Sequence, residues 1–118
     1  MLSLKGKGVC GGVTLGTLAV LRRNTAAVKR CKVQNAEAEV ARFQTARQEA
    51  IDKLAELYEK AVADVGKDNA AIFEIHQMML EDLDYIESVE GIIRTQQVNA
   101  EYAVQTTAAN FAEIFSSM

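Results

Sequence analysis

From Asn35 to the end of the chain, apolar residues recur every three to four positions, and no proline interrupts them. This spacing places the apolar side chains on one face of an α-helix. Proline breaks the hydrogen-bond ladder of a helix, and its absence from all 118 residues allows long, uninterrupted helices. A chain of this length has space for one hydrophobic core. The sequence therefore predicts a mainly α-helical fold for residues 34–118.

The first predicted helix is the longest. Asn35 is a suitable N-cap residue, and the acidic Glu37 and Glu39 favour a helix start directly after it. The apolar stripe of this helix is interrupted only by Arg47, and Gly66 is the expected C-terminal stop. One helix is therefore expected between Asn35 and Gly66.

Two further helices are predicted after this glycine. The second begins near Asp68 or Asn69, either of which can cap it, and we expect a kink close to Glu81–Asp84, where the apolar face drifts. The third starts at Asn99 and carries an apolar stripe to the last residue. Three such helices make an incomplete bundle, so we expect a truncated helical subdomain with apolar surface left uncovered.

Residues 1–33 have a different character. The stretch GGVTLGTLAVLRR, residues 11–23, is rich in Val, Thr and Leu, which favours one or two short strands with glycine turns. Residues 1–33 carry seven basic and no acidic side chains, whereas residues 34–118 carry six basic and sixteen acidic ones. Such a split suggests two segments with different roles. We therefore expect a short β segment followed by the helical subdomain.

Composition limits the environment and the partners. An acidic surface repels nucleic acid and attracts a basic protein partner. The alternative interpretation is that the acidic residues only form the solvated face of a helix. No apolar stretch is suited to span a membrane. Cys10 and Cys31 lack the spacing of a metal or disulfide motif, which favours a reducing compartment. We expect a cytoplasmic protein that neither binds nucleic acid nor inserts into a membrane.

Motifs for cofactors and metals are weak. Gly6, Gly8 and Gly11 spell G-x-G-x-x-G, but too few residues precede them to form the strand that a dinucleotide site requires, so turn glycines are the simpler interpretation. Glu74 and His76 are two residues apart, which points them to different faces of a helix and disfavours a metal site within a bundle. The sequence therefore predicts no metal and no cofactor in this chain.

His76 is the only histidine, and it lies in the apolar stretch AIFEIHQMMLED. Nucleophilic catalysis needs a base with an orienting partner, and the nearby Glu81 and Asp82 lie off the helix face of His76. A single histidine in an apolar helix stripe serves packing or surface contact more often than catalysis. The residues alone leave packing and contact open as alternatives.

The same stretch resembles a known family. AIFEIHQMMLED is similar to the segment AIFE-x-H-x-M-L-L-E-D of Enzyme I of the bacterial phosphoenolpyruvate-dependent sugar phosphotransferase system. The matching positions are Ala71, Ile72, Phe73, Glu74, His76, Met78, Leu80, Glu81 and Asp82. The resemblance covers essentially the whole chain and the N-terminal part of a typical family member.

A second stretch, GKGVCGGVTLG, is similar to the family pattern G-x-x-A-S-P-G-I-A-x-G near the N-terminus. The matching glycines are Gly6, Gly12 and Gly16, and Val13 replaces the isoleucine. Cys10-Gly11 stands where the family has Ser-Pro, so this stretch matches less well.

The resemblance implies a fold and a function. In the family, this region holds an α-helical subdomain that binds HPr, the small phosphocarrier, and is inserted into a swivelling β/α domain. The resemblance makes residues 1–33 the N-terminal β segment of the swivelling domain and residues 34–118 the HPr-binding subdomain. The family enzyme is a transferase that passes phosphate from phosphoenolpyruvate to HPr in sugar uptake.

The resemblance also assigns roles to histidine and magnesium. The phosphorylated histidine of the family lies in a motif of the type GGxTSH, which this sequence lacks, and a C-terminal barrel that binds phosphoenolpyruvate and magnesium is absent as well. His76 corresponds to a histidine that contacts HPr. We therefore expect no catalytic residue, metal or cofactor in this chain, and no activity from it alone.

Position by position, the resemblance predicts a contact surface for HPr. Its residues are Asp68, Ile72, His76, Met79, Leu83, Asp84, Tyr85 and Phe115. The family has an acidic pair just before the AIFE helix, and Lys67 and Asp68 stand there, so the lysine changes the charge at this edge. The alternative is a structural helical module that self-associates through its apolar stripes.

Overall fold

The computed structural model describes residues 1–22 and 26–118. Four helices follow one another along the chain: α1 (Ala36–Val65), α2 (Lys67–Glu81), α3 (Leu83–Gln96) and α4 (Ala100–Ser117). The mainly helical prediction is confirmed, and the second predicted helix divides into α2 and α3. Asn35 caps α1 as expected, because its side-chain oxygen accepts a hydrogen bond from the N–H of Ala38 at 3.2 Å.

Gly66 separates α1 from α2. It ends α1 as predicted, with a φ of 87° that favours glycine. The next helix starts directly at Lys67, so the cap predicted at Asp68 or Asn69 is wrong. Asn69 instead donates from Nδ2 to the carbonyl oxygen of Val65 at 2.9 Å, which satisfies a free carbonyl at the end of α1.

Asp82 separates α2 from α3 at the place where a kink was expected. Its backbone is extended, with φ −64° and ψ 125°, and its carboxylate accepts a hydrogen bond from the N–H of Tyr85 at 2.9 Å. An aspartate in this conformation is an N-cap, so a new helix starts here and changes the direction of the chain.

The hydrophobic core joins α1, α3 and α4. It is formed by Val40, Phe43, Val89, Ile93, Ala100 and Ala103. The remaining helix, α2, buries only Ala70 completely and packs mainly along α1. Within the described part of the chain, α2 and α4 do not approach each other closely. The helices therefore form two pairs, α1 with α2 and α3 with α4, with a space between α2 and α4.

A charged cluster ties the start of α1 to the start of α4. Glu39 accepts a hydrogen bond from the N–H of Ala100 at 2.7 Å and forms an ion pair with Arg42 at 2.6 Å. Arg42 also pairs with Glu101 at 2.7 Å. The hydrogen bond from Arg42 lowers the pKa of Glu101 to about 2, and it also lowers the pKa of Glu39. The carboxylates at the start of α4 are favoured further by the positive end of the helix dipole.

Residues 1–22 contain no helix or strand and are exposed. The short β segment that was expected in residues 11–23 is therefore not confirmed, and its last residue, Arg23, lies outside the described residues. A strand needs neighbours to pair with, and residues 1–22 have none in the described part of the chain.

Residues 29–33 pair with the connection between α3 and α4. Lys32 and Val98 form an isolated antiparallel β-bridge. Asn99 contacts this segment through both its backbone and its side chain. Its backbone N–H donates to the carbonyl of Cys31 at 3.0 Å, and its side-chain oxygen accepts from the N–H of Cys31 at 2.8 Å. Its Nδ2 donates to the carbonyl of Lys29 at 3.0 Å, so Asn99 fastens the segment before α1 to the start of α4.

Candidate functional site

An open groove with a volume of about 880 Å³ lies between α2 and α4. This α2–α4 groove is lined by Leu54, Ile75, His76, Met78, Met79, Leu80, Asp82, Tyr85, Ala108, Phe111, Ala112 and Phe115. Most of these side chains are apolar, and the polar ones are His76, Asp82 and Tyr85. A concave apolar surface with few polar groups is suited to receive apolar side chains of a partner.

Two side-chain hydrogen bonds, one donated from each helix, join α2 to α1. Gln77 donates from Nε2 to the carbonyl oxygen of Ile51 at 3.2 Å, and Arg47 donates from Nη1 to the carbonyl oxygen of Leu80 at 3.0 Å. The second contact explains why Arg47 interrupts the apolar stripe of α1. Its positive charge satisfies a carbonyl in the last turn of α2, where the helix dipole is negative.

The wall that α2 contributes is apolar and accessible. Ile75, Met78 and Met79 keep 51%, 65% and 56% of their surface exposed, although each lines the groove. Because α2 packs along α1 and not along α4, these side chains have no helix opposite them at close range in the described residues. Exposed apolar side chains gathered in one place mark a surface for interaction.

An aromatic row connects the core with the opposite wall. The ring centroids of Phe43 and Tyr85 are 6.5 Å apart, those of Tyr85 and Phe111 6.3 Å, and those of Phe111 and Phe115 6.4 Å. Tilted and edge-on pairs at these distances are favourable. Burial raises the pKa of Tyr85, so its phenol is neutral at neutral pH. The row thus links the wall formed by α4 to Phe43 of the core.

Half of the predicted contact residues meet in the groove. Those that line it are His76, Met79, Tyr85 and Phe115. The others are exposed and lie outside its lining, on α2 or in the first turn of α3: Asp68, Ile72, Leu83 and Asp84. That these eight residues bind a partner remains a prediction.

Several lining residues were missed from the sequence. Met78 belongs to the motif that carries the family resemblance, and Phe111 belongs to the apolar stripe of α4, so both carried a signal. Ile75 and Leu54 could not be assigned to a groove from spacing, because the spacing within one helix does not tell which helix lies opposite. The groove is a property of two helices that are distant in the sequence.

The side chains that line the groove are suited to noncovalent contact with a partner. His76 is exposed on the wall of α2, which excludes a buried core position for it. Across residues 1–22 and 26–118, no three His, Cys, Asp or Glu side chains are arranged to hold a metal ion. None of the four helices combines the length and apolarity needed to cross a membrane.

The comparisons with known proteins agree on one family. The family model described as "PEP-utilising enzyme, N-terminal" matches residues 5–118. The phosphoenolpyruvate-protein phosphotransferase of Bacillus subtilis (strain 168) is 33% identical over 118 residues, which is 100% of this chain and 21% of that protein. The protein of the same name from Geobacillus stearothermophilus is 31% identical over 116 residues, covering 98% of this chain and 20% of that protein. The chain thus spans about a fifth of the length of these curated relatives.

A solved structure has the same fold. An NMR solution structure of Enzyme I superimposes with a TM-score of 0.74 at 31% sequence identity, covering 80% of this chain and 39% of that chain. The Enzyme I resemblance found in the sequence is confirmed by these matches. The chain therefore belongs to the family of N-terminal domains of phosphoenolpyruvate-utilising enzymes.

Proposed function

We propose that the chain is the N-terminal part of a phosphoenolpyruvate-protein phosphotransferase and that its α2–α4 groove docks HPr, the phosphocarrier that receives the phosphate. One observation carries this proposal. The groove gathers His76, Met79, Tyr85 and Phe115 from three helices, and the family resemblance designates all four as HPr contacts. A surface assembled from separate helices around residues designated independently is the strongest candidate for a docking site.

The groove has the physical properties of such a site. A transient protein interface has an apolar centre and a polar rim, and here two methionines and two phenylalanines are among the apolar side chains that line the groove. Asp82 lines the groove, and Glu81 and Asp84 are exposed beside it. Negative charge around an apolar centre accelerates the encounter with a basic partner. We infer that the matching surface of HPr presents apolar side chains surrounded by basic ones.

Different parts of the enzyme have different roles. Residues 34–118 form the docking unit, and residues 1–33 belong to the swivelling domain that carries the phosphorylated histidine elsewhere in the enzyme. Magnesium and phosphoenolpyruvate are bound by a part outside this sequence, and the enzyme works in the cytoplasm, where sugar uptake is coupled to phosphorylation. His76 contacts HPr and does not carry phosphate.

Titration of the chain with HPr tests the docking site. We expect changes in amide chemical shifts along α2, the start of α3 and the end of α4, including positions 76, 79, 85 and 115. Phe115→Ala removes an exposed ring from the groove wall and should weaken binding about tenfold or more, as loss of a central aromatic contact does.

Leu57→Ala provides a matched control. Leu57 is exposed at 44% on α1 and does not line the groove. It should leave the affinity for HPr unchanged, while circular dichroism confirms that both variants are helical. Shifts confined to α1, or an affinity that Phe115→Ala does not alter, would exclude the groove as the docking site.

The role of His76 has a separate test. Incubation of the chain with labelled phosphoenolpyruvate and magnesium should leave it unlabelled. Label recovered on His76 would show that this chain catalyses the first phosphoryl transfer and would overturn the assignment of His76 to contact.

A second copy of the chain is the other candidate occupant of the groove. The exposure of Met78, Ile114 and Phe115, at 65%, 56% and 63%, favours some self-association of the helical bundle. Sedimentation at rising concentration should detect it, and HPr should compete with it if the same groove is used. A monomer at every concentration would exclude a structural, self-associating module.

A further inference from the structure

Two adjacent methionines form a large part of the accessible wall of the α2–α4 groove. Met78 is exposed at 65% and Met79 at 56%, and both line the groove. The two other methionines, Met1 and Met118, are exposed as well but lie outside its lining. A solvent-borne oxidant therefore has access to all four thioethers, and only two of them belong to the groove.

The thioether of methionine reacts with peroxides. The sulfur lone pair attacks one oxygen of hydrogen peroxide, the S–O bond forms as the O–O bond breaks, and water leaves after proton transfer to the departing oxygen. The sulfur loses two electrons and the peroxide gains two. The product, methionine sulfoxide, is polar where the thioether was apolar and adaptable.

A sulfoxide in this wall has few groups to bond with. The polar lining groups are His76, Asp82 and Tyr85, and the carboxylate of Asp82 only accepts hydrogen bonds, so it cannot donate one to a sulfoxide oxygen. An occupant that covers the groove would bury the new oxygen against apolar side chains. Burying a polar atom without a hydrogen-bond partner is unfavourable, so an oxidised wall should bind the same apolar partner less tightly.

We propose that Met78 and Met79 are an oxidation-sensitive pair through which peroxide weakens docking in the α2–α4 groove. This inference rests on the proposed docking function, and it adds regulation of that same groove by the oxidation state of two named side chains. The change is reversible in principle, because methionine sulfoxide is a substrate of methionine sulfoxide reductases.

The test compares HPr binding before and after oxidation. The exposed thiols of Cys10 and Cys31 are first blocked by alkylation, so that only methionine responds to hydrogen peroxide. Peptide mass spectrometry then measures the sulfoxide at each of the four positions, and calorimetry measures the affinity for HPr. We expect a loss of about tenfold or more, where tenfold corresponds to ~1.4 kcal/mol, and recovery after treatment with the reductases.

The double variant Met78→Leu, Met79→Leu is the matched control. Leucine has a similar volume and no oxidisable sulfur, and the variant keeps Met1 and Met118. The affinity of this variant for HPr should be the same before and after peroxide treatment. An equal loss in this variant would overturn the inference, because the effect would then come from other positions.

Three further outcomes are decisive. Unchanged binding by a chain carrying sulfoxide at both positions would overturn this inference and leave the proposed docking function intact. No binding by the unoxidised, folded chain would overturn the docking function and this inference with it. If the double variant binds HPr poorly before oxidation, the reductase treatment of the original chain decides instead. Reduction of its sulfoxides to methionine without recovery of the affinity for HPr would then overturn the inference.

Discussion

At the scale of single residues, Arg47 shows how a polar side chain can belong inside an apolar stripe. It lies on α1 between buried positions, half-buried itself, and reaches the carbonyl of Leu80 near the end of α2. A long cationic side chain can cover apolar surface with its stem and satisfy a carbonyl with its head. The interruption of the stripe is therefore a contact between helices.

Replacing this arginine should loosen α2. Arg47→Met keeps the apolar stem and removes the hydrogen bond to Leu80, and we expect the free energy of unfolding to fall by about 1–2 kcal/mol. Urea unfolding followed by circular dichroism measures this. Lys53→Met, at an exposed position of the same helix, should change it by no more than about 0.5 kcal/mol. Equal losses in both variants would contradict the role assigned to Arg47.

At the scale of secondary-structure elements, the starts of α1 and α4 are joined through carboxylates. Glu39 accepts the N–H of Ala100, and Arg42 connects Glu39 with Glu101. Each carboxylate lies in the first turn of its helix, where it also interacts favourably with the helix dipole. The joint should therefore depend on pH.

Acid should weaken this joint in a defined range. The folded pKa of Glu101 is about 2, below its ordinary value of 4.5, so its stabilisation is complete above pH 4.5 and is lost as the pH falls toward 2. Glu101 is half exposed, so solvent screening limits the effect to about 1 kcal/mol or less. The variant Glu101→Gln should be less stable than the original chain at pH 7, and the two should converge near pH 2.

The matched control is Glu113→Gln, an exposed position on the same helix. It should change the free energy of unfolding little at pH 7. Thermal or urea unfolding at several pH values measures both variants. A difference between Glu101→Gln and the original chain that stays constant from pH 7 to pH 2 would exclude the ionised carboxylate as the cause.

The positions of the helix ends were the most predictable feature of the fold, and the contacts between helices were the least predictable. Asn35, Gly66 and Asn99 mark boundaries because caps and stops depend on a few neighbouring residues. Asp82 was expected to lie within a kink of one helix, whereas it caps a new helix through a hydrogen bond from Tyr85. In the sequence alone, the start of a new helix is hard to distinguish from a bend in a continuing one. The cap of α2 was misassigned to Asp68 or Asn69, because Gly66 is both the C-cap of α1 and the N-cap of α2.

The candidate site was predictable only in part, for the same reason. His76 and Met79 lie in the motif that resembles the family, and the same resemblance, not the apolar stripe of α4, designated Phe115. That α2 and α4 remain apart and leave a groove between them depends on how the two helix pairs meet, and spacing within one helix carries no such information. The strands expected in residues 11–23 required pairing partners that a local pattern does not supply.

At the scale of the whole molecule, the helices are unequally anchored. The core draws on α1, α3 and α4, whereas α2 buries only Ala70 completely. Local stability follows the number of buried apolar contacts. The helix that provides the accessible wall of the groove is thus also the one that the core holds least.

Amide hydrogen exchange should reveal this difference. We expect amides in the middle of α2 to exchange about tenfold or more faster than those near Val89 and Ile93 in α3. Bound HPr should slow exchange in α2 and leave α3 nearly unchanged. Equal protection of α2 and α3 in the free chain would contradict the unequal anchoring.

The pairing around Asn99 has a consequence for the order in which the chain folds. Its side-chain hydrogen bonds join residues that are 68 and 70 positions apart, whereas each helix and each neighbouring helix pair forms from closer contacts. Closing so long a loop has an entropic cost that local contacts do not offset until the helices have met. We therefore expect the segment from Lys29 to Val33 to dock last during folding, after the four helices have packed together. The packed helices would then provide the surface on which this segment becomes ordered.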